Sequence, residues 1–182
     1  MNSLSIDILI WIGIVFCISQ SAVFSGLNLA FFSVSRLRLE IEARNNDTAA
    51  IKVLKMRSDS NFLLTTILWG NVAANVLLAL LSNSVMTGIS AFIFSTFIIT
   101  FLGEIAPQAY FSRHALRIAS SLSPIIKIYQ IILFPVAKPS AKLLDLWLGK
   151  ENIEYFKEKS LKHLIQKHVE DAEDIDHVEG TG

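Results

Sequence analysis

Three stretches of this chain are long, apolar and almost free of charge: Ile6 to Phe32, Phe62 to Leu81 and Val85 to Leu102. A helix of ~20 apolar residues crosses the hydrocarbon of a bilayer. Inside it, backbone N–H and C=O groups must be satisfied within the protein, which restricts spanning structure to helices and closed barrels. Runs of this length predict helices. A mean hydropathy of +0.50 agrees, as does a charged fraction of only 18%. The charges are concentrated between the runs, and their formal sum is zero. Whole-chain charge therefore names no partner; the apolar runs name the lipid bilayer, and no nucleic acid is expected.

A fourth apolar run, Ile118 to Ala137, differs from the others. It holds Lys127 near its centre and Pro124 and Pro135 near its ends. The distribution of basic residues also argues against its crossing. The first connector carries Arg36, Arg38, Arg44, Lys52, Lys55 and Arg57, the Ser82 to Thr87 connector carries no charge, and Arg113, His114 and Arg117 follow the third run. The positive-inside rule then puts the first and third connectors in the cytoplasm and the N-terminus outside. A fourth crossing would send Lys138, Lys142 and Lys150 outward. The run is read instead as an interfacial belt helix broken by its prolines.

Residues 1–137 thus form a transmembrane domain with its belt helix. Residues 138–182 are amphipathic and then acidic, with Leu143, Leu144, Leu146, Trp147, Leu161, Leu164 and Ile165 at helical spacing. Glu170, Asp171, Glu173, Asp174, Asp176 and Glu179 follow. This segment reads as a cytoplasmic acidic helical bundle, either a solvated face or a cation-sensitive one. The ending Glu179-Gly180-Thr181-Gly182 has the composition of a linker, so a truncated chain is expected. The N-terminus has no basic region or small-residue cleavage site, and the first run is expected to stay in the mature protein. Cys17, the single cysteine, is read as packing.

Each of the three spans carries oxygen donors. Ser21 and Ser25 are four apart and share a helix face, with Gly26 beside them. Asn71 and Asn75 repeat that spacing after Gly70. Glu104 closes the third run, and Pro107 follows three residues later. A proline cannot donate its N–H, and its ring presses on the carbonyl four residues back, here that of Gly103. Hydroxyl, amide, backbone carbonyl and carboxylate are hard ligands that suit Mg²⁺, Ca²⁺ or Na⁺ rather than zinc or copper. Each piece has a bland counterpart: serines bond back to their own helix, and asparagines join helices. An ionisable residue within a span is a functional site by default. Enzyme readings find no support: the sequence has no HExxH, GxSxG or phosphate-binding loop, and its four histidines lie outside the spans. His114 is expected to be interfacial.

Three of these segments resemble the CNNM/CorC (cyclin M, ancient conserved domain) magnesium transporters. They are Ser21-Ala22-Val23-Phe24-Ser25-Gly26-Leu27-Asn28-Leu29-Ala30, Gly70-Asn71-Val72-Ala73-Ala74-Asn75, and Gly103-Glu104-Ile105-Ala106-Pro107-Gln108 with Ser112-Arg113-His114. The resemblance implies an all-α homodimer of three-span protomers in the cell membrane, with a broken juxtamembrane belt helix and an acidic cytoplasmic bundle. It implies Mg²⁺ transport, as export coupled to Na⁺, with Ser21, Ser25, Asn71, Asn75, Gly103 and Glu104 as ligands. It also implies a CBS-domain pair beyond this chain, through which ATP would act. The alternative is a regulatory membrane protein that senses Mg²⁺ without carrying it.

Overall fold

The computed structural model describes residues 3–148, and every regular element among them is helical. Helix α1 runs Ser3–Phe32, α2 Arg36–Arg44 and α3 Thr48–Met56; a 3-10 turn, Arg57–Asp59, leads into α4, Ser60–Val85. Helix α5, Ile89–Ile98, passes into a π-helical stretch, Ile99–Ile105, and then into α6, Ala106–Arg113. Helices α7, Ala115–Ile132, and α8, Phe134–Leu148, complete the described chain. The acidic segment lies outside the described residues.

Three helical segments are long and apolar enough to cross a membrane: Ser5–Phe32, Thr48–Val85 and Ile89–Arg113. Their boundaries follow from local chemistry. The Asp47 carboxylate caps α3 by accepting from Ala49 and Ala50 N–H at 2.7 and 3.3 Å, and Asp59 caps α4 through Phe62 N–H at 3.2 Å. Helix α4 continues to Val85, beyond the expected end at Leu81. The turn before α5 uses Gly88 at φ +59°, a left-handed conformation that glycine adopts without penalty. The third span therefore starts at Ile89, not Val85. It also continues past its expected end at Leu102, as far as Arg113, so Glu104 lies within a helical segment.

Alpha-1 is the hub. Its inward face presents Ile14, Cys17, Ser21, Phe24, Ser25 and Phe31, all buried, at helical spacing. Ile14 and Cys17 pack with Leu78 of α4 in one apolar cluster. Phe24, Leu27 and Phe31 join Leu39, Val53, Leu63, Ile67, Ala119 and Ile126 in a second. The two serines therefore sit in a polar interval between the clusters. The outward faces carry Leu9, Val15 and Phe16 on α1, Leu80 on α4 and Phe97 on α5, each about 60% exposed, as lipid-facing side chains should be.

The fourth apolar run is two helices bent by 94°. The bend falls at Leu133, immediately before Phe134-Pro135, where the missing proline N–H interrupts the ladder. Pro124 does not break α7, so only one of the two prolines expected to interrupt the run does so. Lys127 is exposed on α7. Alpha-8 is tied to α4: Thr65 Oγ1 donates to Ala137 O at 3.0 Å, Trp69 Nε1 donates to Ser140 Oγ at 3.0 Å, and Lys138 pairs with Asp59.

Candidate functional site

Hydroxyls in apolar helices ordinarily return their protons to their own backbone. Ser19 does so to Val15 O at 2.9 Å, Ser82 to Leu78 O at 2.8 Å and Ser95 to Ala91 O at 2.7 Å. Ser21 and Ser25 instead donate across to α4. Ser21 Oγ reaches Asn75 Oδ1 at 2.6 Å and lies 3.2 Å from Asn71 Oδ1; Ser25 Oγ reaches Asn71 Oδ1 at 3.2 Å. Both serines are buried, and both asparagines are half-buried. The repeat of four residues on each helix makes this pairing possible, because it sets two donors against two acceptors along one crossing.

The third span completes the cluster. Asn75 Nδ2 lies 3.5 Å from Glu104 Oε1, at the outer limit of a hydrogen bond. Glu104 forms no ion pair among the described residues, so no basic side chain among them neutralises its charge. Gly103 backs directly onto Ser21: a Cβ built there would lie 2.7 Å from Ser21 Oγ. The absence of a side chain thus lets the third span approach α1. All six residues singled out in the sequence meet here, from α1, α4 and the π-helical stretch.

That stretch was not foreseen. Ala106 N–H bonds to Phe101 O, five residues back, the π spacing. Pro107 then offers no N–H, so it can serve neither the Leu102 oxygen five residues back nor the Gly103 oxygen four back. Gly103 therefore lacks its ordinary α-helical donor while lying against Ser21. Such bulges recur at functional positions in helices. A glycine and a proline four residues apart in an apolar run were the available signal.

Sequence reasoning also missed Tyr129 of α7. Its hydroxyl donates to Gln20 Oε1, next to Ser21, and its ring meets Phe24 edge-on at 4.7 Å. Phe24 in turn fills the space over Gly70, where a Cβ would come within 2.4 Å of its ring. His114 caps neither neighbouring helix with its side chain, and its ring lies tilted against that of Tyr110 at 5.5 Å.

Chemically the cluster is all oxygen on its accepting side. Among the described residues no three His, Cys, Asp or Glu side chains gather.

The family model described as "Cyclin M transmembrane N-terminal domain" matches residues 12–179. The chain belongs to this family. Metal transporter cnnm-4 of Caenorhabditis elegans is 37% identical over 174 residues, covering 90% of this chain and 37% of the relative. Metal transporter cnnm-1 of the same organism is 35% identical over 164 residues, or 88% of this chain and 20% of the relative. The DUF21 domain-containing protein At2g14520 of Arabidopsis thaliana is 33% identical over 163 residues, 87% of this chain and 38% of the relative. The chain thus spans well under half the length of these relatives. As a cyclin M domain with three spanning helices it is a multi-pass membrane protein, and all six clustered residues fall within the matched range.

Proposed function

We propose that this domain carries Mg²⁺ across the cell membrane, as an exporter coupled to Na⁺, through the cluster of Ser21, Ser25, Asn71, Asn75, Gly103 and Glu104. The observation that carries the reading is the behaviour of the two serines. They turn their protons from the backbone to the Asn71 and Asn75 amide oxygens of α4, and the Asn75 amide nitrogen lies 3.5 Å from the Glu104 carboxylate. The names of the two worm relatives support a metal as cargo.

Glu104 supplies charge, while the neutral oxygens replace water that Mg²⁺ gives up reluctantly. When an ion enters, the Ser21 and Ser25 protons rotate away from the asparagine oxygens, so ion–oxygen contacts replace the hydrogen bonds that hold α1 to α4. One carboxylate against a dication leaves the site net positive, which favours release. Loading and helix packing are coupled because the same atoms serve both. In this reading the Arg-rich end faces the cytoplasm, the N-terminus lies outside, and two protomers form the working unit.

Calorimetric titration of the purified protein with Mg²⁺ tests the site. Asn75→Ala should weaken binding by about tenfold, the effect of one lost ligand of about 1.4 kcal/mol. Unchanged affinity in a folded Asn75→Ala protein would remove Asn75, and with it this geometry, from the proposal.

A further inference from the structure

A second polar feature lies apart from the ion cluster, where α6 turns into α7 and the α1–α2 connection passes by. A cavity of about 550 Å³ opens there, lined by Ser33, Ser35, Arg38, Arg113, His114 and Arg117 among others. Arg38 is held by Glu42 at 2.8 Å. Arg113 and Arg117 form no ion pair among the described residues. Helix α7 starts at the same place, Ala115, Leu116 and Arg117 of its first turn line the cavity, and that turn receives no side-chain cap, so its N–H groups are spare.

A hollow of about 520 Å³ adjoins it. The two share His114 and Arg117, but the second is otherwise lined largely by Tyr110, Phe111, Ile118 and Leu122. A basic cavity with hydroxyls therefore continues into an apolar groove, at the point where the third span ends at Arg113. Guanidinium forks and hydroxyls suit a phosphate. An apolar groove running from the same residues suits an acyl chain.

We infer that this paired cavity binds an anionic phospholipid, its phosphate held by Arg113 and Arg117 and one chain laid along Tyr110, Phe111, Ile118 and Leu122. A free phosphate would use the first cavity and leave the second without a role, so the observations favour the lipid.

The test is native mass spectrometry of the delipidated full chain, titrated with dioleoyl-phosphatidylglycerol and, separately, dioleoyl-phosphatidylcholine. Phosphatidylglycerol should bind more tightly. Arg113→Gln with Arg117→Gln should weaken it by about 10- to 30-fold, as expected for two basic contacts near a lipid surface. Lys52→Gln with Lys55→Gln, on the neighbouring α3 and outside both cavities, should change it several-fold less than the arginine pair does, because screening weakens charges that do not touch the phosphate. An equal loss in both double variants would mean diffuse surface charge and overturn the site. Should the arginine variant fail to fold, the wild type alone decides. Dioctanoyl-phosphatidylglycerol should bind at least about tenfold more tightly than glycerophosphoglycerol, because chain burial adds to the phosphate. Equal binding, or full displacement of the lipid by inorganic phosphate, would make this a free-phosphate site and overturn the lipid assignment.

Discussion

The Ser21 hydroxyl on α1 donates to the Asn75 amide oxygen on α4 at 2.6 Å, across 54 residues of sequence. It is the shortest link in the polar interval between the two apolar clusters, and the Gly103 backbone of the third span packs onto the same hydroxyl. Ser21 therefore touches both of the other spans, and changes around it separate packing from ion binding.

Gly103→Ala should destabilise the domain by about 1–3 kcal/mol, the usual effect of overfilling a tight contact. Its Cβ would lie 2.7 Å from Ser21 Oγ but 3.4 Å from Ser21 Cβ. Combining it with Ser21→Ala removes the closer atom and should recover about 1 kcal/mol relative to the sum of the single changes. Thermal unfolding of the four proteins in detergent checks this. Simple additivity would show that the close approach carries no energy.

Pro107→Ala restores a backbone N–H below the π-helical stretch. That donor can reach the Gly103 oxygen in α register. The variant should hold its helix at least as well as the wild type and yet bind Mg²⁺ about tenfold more weakly, because one oxygen is withdrawn. Circular dichroism with calorimetry separates the two readouts. Equal affinity would show that the Gly103 carbonyl is not a ligand and that the glycine serves only the close approach.

Gly70→Ala drives a Cβ to within 2.4 Å of the buried Phe24 ring. A loss of about 1–3 kcal/mol is expected, and Phe24→Leu should return part of it by freeing ring volume. A melting curve for each variant and for the pair decides. No recovery in the pair would place the strain elsewhere.

Tyr129→Phe removes the hydroxyl that meets Gln20. Interhelical hydrogen bonds within membranes average only about 0.6 kcal/mol, so a modest fall in stability of that order is expected, measured by thermal unfolding. A loss of several kcal/mol would mean that this pair, rather than the apolar cluster around Phe24, secures α7 to α1.

The spans and the six clustered residues were legible because hydropathy and four-residue spacing are local properties. Ser21 with Ser25 and Asn71 with Asn75 each announce one helix face on their own. The ends of the spans were less legible. Asp59 and Gly88 fix where α4 and α5 begin through cap and turn geometry, which an apolar average does not register. The π spacing at Phe101–Ala106 was hidden because a π turn has no periodicity of its own within an apolar run. Tyr129 was invisible for another reason. Its partner Gln20 is 109 residues away, and only the folding of α7 back onto α1 brings them together. Pro124 shows the opposite error, a residue read as a breaker that α7 accommodates.

If the cluster moves Mg²⁺ and Glu104 supplies its charge, transport must depend on that one carboxylate. The direct measurement is Mg²⁺ flux into proteoliposomes, wild type against Glu104→Gln, with and without an opposing Na⁺ gradient. The change keeps the side chain's size, removes its charge and replaces one carboxylate oxygen by an NH₂ group. The proposal expects flux in the wild type that responds to Na⁺ and falls by about tenfold or more in the variant, which corresponds to at least about 1.4 kcal/mol. Equal flux in both folded proteins would contradict the assigned site. Mg²⁺ binding with no flux in the wild type would contradict transport by this chain and leave a sensor.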